Sequence, residues 1–261
     1  VASTLALPGV TLRLEEQGEG PCVVFVHGFG GDLGSWDGLW PLLAPGRHLL
    51  RYDLRDFGGS RAETDAAFTH TADLAALLAA KSITRCDLVG VSMGGGVALS
   101  FALDHPEIVR SLTLISPQIA GWEWSENWRA QWRDITALAR AGRMDEAKDL
   151  WWRHPLFATT RESSAGAELR HEIEHFAGRQ WIRDNHAEVM PDIERLHMLQ
   201  PPILLLTGEQ DVEEFRLMAE IIEASAATVR RVNFAGAGHM LHMEIPEQCA
   251  ASIDAFLAAR A

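Results

Sequence analysis

The sequence predicts an α/β protein: a mostly parallel sheet with helices on both faces, interrupted by one all-helical insertion. Three observations carry that expectation. Short apolar runs alternate with helix-like segments along the chain. Most of those runs are apolar throughout, as strands buried on both faces are. The stretch from 117 to 195 contains no strand-like run at all. The expected division is a core of 1–116 and 196–261 with the helical segment 117–195 inserted in it.

Taken in order, "VTLRLEE" (10–16) follows the Pro8-Gly9 turn and alternates like an antiparallel strand. "CVVFVHG" (22–28), "HLLRYDL" (48–54), "CDLVGVS" (86–92), "VRSLTLIS" (109–116) and "PILLLTG" (202–208) read as buried strands, and "TVRRVNF" (228–234) as the last one. Helices are expected over 69–82, behind a Thr69 cap, over 93–106, ending before a proline, over 211–226, and over 246–260, with Pro246 at its start. Within the insertion the helical pieces are 125–140, 144–153, 167–177 and 179–187.

Composition narrows the function classes. The 261 residues are 47% hydrophobic, ample for a core, and carry a formal charge of −13 with no long run of one sign. A nucleic-acid binder needs a basic patch to neutralise phosphates, so none is expected as partner. No apolar run approaches the roughly 18 residues of a membrane span, and "VASTLALPG" lacks a basic region followed by a long apolar stretch. Cys22, Cys86 and Cys249 have no metal-type spacing and do not suit a disulfide framework. The expectation is a reduced, cytoplasmic protein, monomer or homodimer, with a small-molecule substrate and no metal or other cofactor.

The strongest chemical signal is Gly90-Val91-Ser92-Met93-Gly94. It follows a strand-like run and opens a small-residue helix, the context a nucleophile elbow requires. The helix N-terminus there favours developing negative charge. Among eleven His, His239 in "GAGH" falls between the last strand and the last helix, where loops converge on the active edge of such a sheet. It is the expected base, with His242 as local support. Asp211 occupies the loop after strand 202–208 and is the expected orienting carboxylate. Its competitors are Glu209, Glu213 and Glu214, the last two in a first helical turn where acids complement the dipole. The N–H groups of Met93 and of Phe29, in "HGFGG", are the expected oxyanion donors.

In order, "HGFGG" (27–31), "YDLRDFGGS" (52–60), "GVSMGG" (90–95), "LLLTGEQD" (204–211) and "GAGHMLHMEIPE" (236–247) resemble the α/β-hydrolases of the small, cofactor-free type over nearly the whole chain. The resemblance implies an eight-stranded sheet and a helical cap inserted after the sixth strand. It also implies Ser92, Asp211 and His239 as the triad, with Phe29 and Met93 at the oxyanion hole. Asp56 departs from the pattern, since relatives often have Gly there, and "VEEF" after the acid lacks their frequent proline.

Seven of the nine Trp lie in the insertion, four of them within 122–132. Trp124, Trp128 and Trp132 are spaced i, i+4, i+8 and form one helical stripe, which either packs the cap onto the core or roofs an apolar pocket. The expected substrate pocket is bounded by His27, Gly28, Trp124, Trp128 and Met240. The cap also carries ten Arg, of which one facing the pocket would favour a substrate carboxylate. "GVSMGG" and the cap pattern are similar to enol-lactonases and small carboxylesterases. The expected activity is therefore hydrolysis of a carboxylic ester or lactone. The alternatives are carbon–carbon bond cleavage in a vinylogous diketone, a cofactor-free perhydrolase or haloperoxidase, and a non-catalytic ligand receptor.

Overall fold

The strand runs assemble into one nine-stranded sheet. The computed structural model describes residues 2–259. Its strands are β1 (Ser3–Leu7), β2 (Val10–Gln17), β3 (Cys22–Val26), β4 (His48–Tyr52), β5 (Arg61–Ala62), β6 (Cys86–Val91), β7 (Val109–Ile115), β8 (Ile203–Gly208) and β9 (Val229–Phe234). The order is β1-β2-β4-β3-β6-β7-β8-β9, with β5 paired to β2. β1, β2, β4 and β5 pair antiparallel, and every pairing from β4 through β3 to β9 is parallel.

Eight strands form the continuous path, and the ninth, β5, is only two residues long, too short to leave a periodic signature. The sequence reading also passed over β1. This edge strand is mostly exposed, so no apolar alternation marks it. The helical insertion follows β7, which is the sixth strand when β5 is set aside.

Burial on both faces follows from strict alternation. Val24 and Val26 pack into one core with Leu88, Leu112 and the helix Met93–Asp104. Val23 and Phe25 point to the other core, with Val89, Leu204, Leu206 and the helix Pro246–Ala258. That helix ends at Ala258, and the predicted extension to Arg260 lies outside the described residues. The parallel strands run the same way, so their C-terminal ends deliver His27, Ser92, Asp211 and the His239 loop to one edge.

Between Ile115 and Ile203 the insertion forms helices Glu126–Arg140, Met144–Trp152, Ala158–Glu162, Gly166–His175 and Arg179–Ile182. The last is shorter than the periodicity predicts. Past Ile182 the chain extends, and the residue 186 backbone bridges Phe68 in the core. Further polar contacts tie insertion to core, among them Asp192 with Ser100, Ser125 with Glu214, and Thr160 with Glu244. Asp56 sits at φ 64°, and its Oδ1 accepts from the Ala62 N–H at 3.0 Å. Asp tolerates this left-handed conformation because its short side chain bonds locally. In the same motif Asp53 accepts from the Leu33 and Gly59 N–H groups, both at 2.7 Å, so "YDLRDFGGS" works as a structural turn. Among the described residues, no helix is long and apolar enough to cross a membrane.

Candidate active site

Ser92 stands at the turn from β6 into the helix Met93–Asp104, at φ 52° and ψ −120°. A non-Gly residue there is strained, and the surroundings over-determine it. Its N–H donates to Ile115 O at 2.9 Å, and its carbonyl accepts from Gln118 and Gly96 N–H at 2.9 and 3.1 Å. Gly90 and Gly94 make room for the bend. A Cβ on Gly94 would stand 2.1 Å from Val26 O, and one on Gly90 2.4 Å from Gly94 O. The Ser92 side chain does not cap the helix, so its hydroxyl is free for other partners.

His239 follows β9 and is 1% exposed. Its Nδ1 lies 3.1 Å from both Asp211 Oδ1 and Oδ2. A buried carboxylate can only accept, so Nδ1 carries the proton and Nε2 presents a lone pair. Nε2 is buried and finds no protein partner among the described residues. Backbone bonds from Glu209 to Phe234 and from Gln210 to Ala237 lock the two loops together, and Phe215 packs its edge against the imidazole at 4.3 Å. Asp211 Oδ1 also accepts from the Val212 N–H at 2.7 Å. The competing acids are engaged elsewhere or displaced: Glu209 accepts from Gly236, Glu214 binds Ser125, and Glu213 lies in the first helical turn.

Ser92, His239, Gly28, Phe29 and Met93 border one cavity of about 560 Å³, a volume typical of small-molecule sites. Among the described residues, no protein acceptor engages the Phe29 or Met93 N–H. Of the expected pocket residues, Gly28, Trp124, Trp128 and Met240 line this cavity. His27 does not. Its ring is buried behind the loop, where Nδ1 donates to Gly28 O at 2.7 Å and Nε2 accepts from the Leu54 N–H at 3.0 Å. Burial also lowers its pKa, so the neutral imidazole is a structural brace for the loop that begins at Gly28.

The Trp stripe divides its duties. Ser125 caps the helix by accepting from the Trp128 N–H, which leaves Trp124 just outside it, stacked on Trp128 at 4.4 Å. Trp132 meets Phe29 edge-on at 5.0 Å. These three and Trp151 line the cavity, whereas Trp122 and Trp152 do not. Arg129 and Arg133 also border it, but they are 50% and 63% exposed at the rim and both pair with Glu126. The remaining walls are mostly aromatic and aliphatic.

Sequence reasoning missed several contributors. His154 packs against Trp128 and Trp151, its pKa lowered to about 4 by burial. His70, His186 and Gln180 line the cavity's far side. Glu244 accepts from Thr160 Oγ1 and from the Gly238 N–H, both at 2.6 Å, joining the insertion to the His239 loop. No local pattern marks these positions, since each also depends on a partner far away in the chain: Trp128 for His154, Phe57 for His70, Phe68 for His186, Asp56 for Gln180 and Thr160 for Glu244. Glu244→Ala frees the residue preceding His239 and is expected to lower turnover at this site about 10–10²-fold, the scale of small misplacements at a reacting centre. Steady-state kinetics beside a thermal melt checks this, and an unchanged kcat in a folded variant would count against it.

A family model for the alpha/beta hydrolase fold matches residues 21–246. A pimeloyl-[acyl-carrier protein] methyl ester esterase from Nitrosomonas europaea is 27% identical over 267 residues, covering 94% of this chain and 99% of that one. A 2-succinyl-6-hydroxy-2,4-cyclohexadiene-1-carboxylate synthase from Salmonella paratyphi B is 28% identical over 243 residues, covering 87% of this chain and 89% of its own. The crystal structure of an enol-lactonase from Burkholderia xenovorans superposes with a TM-score of 0.85 at 22% identity, covering 98% of this chain and all of the other, a likeness of fold.

Proposed function

The chain belongs to the α/β-hydrolase fold family, and from that premise we propose that it is a serine hydrolase cleaving a carboxylic ester or lactone of a small, largely apolar substrate. The observation that carries this reading is His239: Asp211 holds its Nδ1, its Nε2 has no protein partner among the described residues, and it borders the same cavity as Ser92.

In this mechanism Ser92 Oγ attacks the carbonyl carbon as His239 Nε2 takes its proton. The Phe29 and Met93 N–H groups hold the oxyanion. The tetrahedral intermediate collapses, and His239 returns the proton to the leaving oxygen. Water then attacks the acyl-Ser92 ester by the same route in reverse, restoring the hydroxyl and releasing the acid. Asp211 keeps the proton on Nδ1 and stabilises the imidazolium. Residues 117–195 act as the cap, with the Trp stripe as its inner wall. The paired rim arginines favour a neutral substrate over an acidic one. The three free, buried cysteines accord with a cytoplasmic setting.

The test is covalent. A fluorophosphonate is expected to add to Ser92 in one equivalent, and a panel of short esters and lactones is expected to be hydrolysed. A folded protein that takes up no phosphonate and hydrolyses none of the panel would overturn the proposal. The likeness to the synthase supports a second reading, carbon–carbon cleavage or elimination at the same triad. Assaying a vinylogous diketone beside the esters separates the two.

A further inference from the structure

The cavity has two unlike ends. Near His239 its walls are Phe215 and the stacked pair Trp124 and Trp128. In the other direction the wall runs from Phe29 to Phe57, 5.6 Å apart, and from Phe57 to His70, 6.2 Å apart. There it becomes polar, with His70, His186 and Gln180.

This polar end is built. The insertion strand-segment lies on the core: the Phe68 N–H donates to Asn185 O at 3.3 Å, and the Ala187 N–H to Phe68 O at 2.7 Å. His186 Nε2 accepts from the His70 backbone N–H at 3.4 Å, and the two rings lie 4.8 Å apart. Gln180 Nε2 donates to Asp56 O at 3.1 Å, which orients its amide so that Oε1 is an acceptor. That Oε1 and His70 Nδ1 are both buried without a protein partner among the described residues, and His70 is 6% exposed. Buried polar groups are ordinarily satisfied, so two orphans beside one cavity mark a place where a ligand supplies the missing partners.

Resting on the serine-hydrolase reading, we propose that His70 and Gln180 form a subsite for a neutral hydrogen-bonding group, a ketone or hydroxyl, carried on the acyl chain of the substrate. The side follows from proton delivery. The leaving oxygen must face His239 Nε2, so the alcohol portion lies under Trp124 and Trp128 and the acyl chain runs along Phe57 toward His70. The neutral class follows from charge. Burial, first of all, holds His70 well below the usual histidine range, and His186 is lowered for the same reason. The nearby Arg55 is consumed by a bidentate pair with the Asp73 carboxylate, at 2.8 and 2.5 Å. Asp184, which also lines the cavity, adds negative charge, so among the described residues the subsite offers hydrogen bonds and no free cation.

The test walks a keto group along the acyl chain of nitrophenyl octanoate, with a terminal carboxylate as a third member. At one or two positions the ketone is expected to raise kcat/KM about fivefold over plain octanoate, the worth of one good hydrogen bond. The carboxylate should give no gain. His70→Phe is expected to erase the ketone preference, read within each variant as the ratio of keto- to plain octanoate, whereas Gln180→Leu is expected to preserve it, because the free Oε1 only accepts and a ketone has no proton to donate to it. A parent enzyme without the preference, one that favours the carboxylate, or a preference that survives in His70→Phe overturns the subsite. Binding of the matching octanamides to Ser92→Ala, followed by tryptophan fluorescence, asks the same question without turnover. Loss of hydrolysis with the ketone preference intact in binding would sink the hydrolase reading and spare the subsite. Hydrolysis with no preference in either assay would do the opposite.

Discussion

Ser92→Ala is expected to lower ester turnover by about 10⁴–10⁶-fold with KM little changed, the loss seen when a triad nucleophile is removed. The alanine keeps the backbone bonds to Ile115, Gln118 and Gly96, so the elbow and the cavity persist and only the attacking oxygen is gone. Asp211→Asn is expected to cost about 10⁴-fold for a different reason. The carboxylate accepts the Nδ1–H of His239 at 3.1 Å through either oxygen. An amide offers one donor face, which favours the tautomer with the proton on Nε2, and that imidazole cannot act as base. Phosphonate labelling separates the two. Ser92→Ala should take up none, whereas Asp211→Asn should label slowly. Ester hydrolysis by a Ser92→Ala preparation free of parent enzyme, near the parent rate, would refute the mechanism.

The second large effect is on stability against pH. His242 is buried, packs its ring on Trp36 at 5.0 Å, and has no partner for either nitrogen among the described residues. Burial lowers its pKa from 6.5 to about 3, with His239 adding to the shift. A base lowered on folding contributes stability that is complete above its unfolded pKa and is lost as pH falls, because the unfolded chain takes up a proton that the folded one refuses. The loss runs from about pH 6.5 to about pH 3, at roughly 1.4 kcal/mol per unit. His242→Phe removes this slope, so its stability relative to the parent should improve steadily through that window.

Glu172 works in the opposite sense. Its carboxyl is pushed up to about 8, chiefly by burial, with Asp32, Glu168 and Asp37 adding to the rise. An acid raised on folding contributes stability that is complete below pH 4.5 and is lost as pH climbs through 8. Glu172→Gln keeps the shape and discards the charge, so it should gain over the parent from pH 4.5 upward and level off above 8, by roughly 3–5 kcal/mol at the plateau. Urea unfolding across this range checks both variants. Curves parallel to the parent at every pH would contradict the assignments.

Much of the architecture was legible because it is written in local periods. Val23 to Val26 alternate between two cores, and that run declares a doubly buried strand without any knowledge of its neighbours. Ser92, Asp211 and His239 stand out as candidates because each lies just past a strand end, and parallel strands bring such ends to one edge. Trp128 and Trp132 were legible as a stripe because helical geometry repeats, whereas Trp124 precedes the helix and joins them only by stacking on Trp128.

His27 was misread for an instructive reason. It occupies the expected position after β3, yet its two nitrogens are consumed by the neighbouring Gly28 O and by the Leu54 N–H, the latter 27 residues away and announced by no spacing. β1 and β5 left no periodic signal, and the helix begun at Arg179 ends early because residue 186 pairs with Phe68.

By itself, then, the sequence determined the order of elements, the parallel sheet, the helical insertion and the positions of the candidate triad, since each depends on residues close along the chain. Only the tertiary structure decided which Trp face the cavity, that Glu244 joins the insertion to the His239 loop, that Asp56 takes a left-handed conformation, and that His70, His186 and Gln180 meet at one end. Those facts rest on contacts such as Asp56 with Gln180, 124 residues apart. Packing of the insertion against the core sets them, and a one-dimensional pattern of hydrophobicity carries no record of which distant polar atoms are left facing one another.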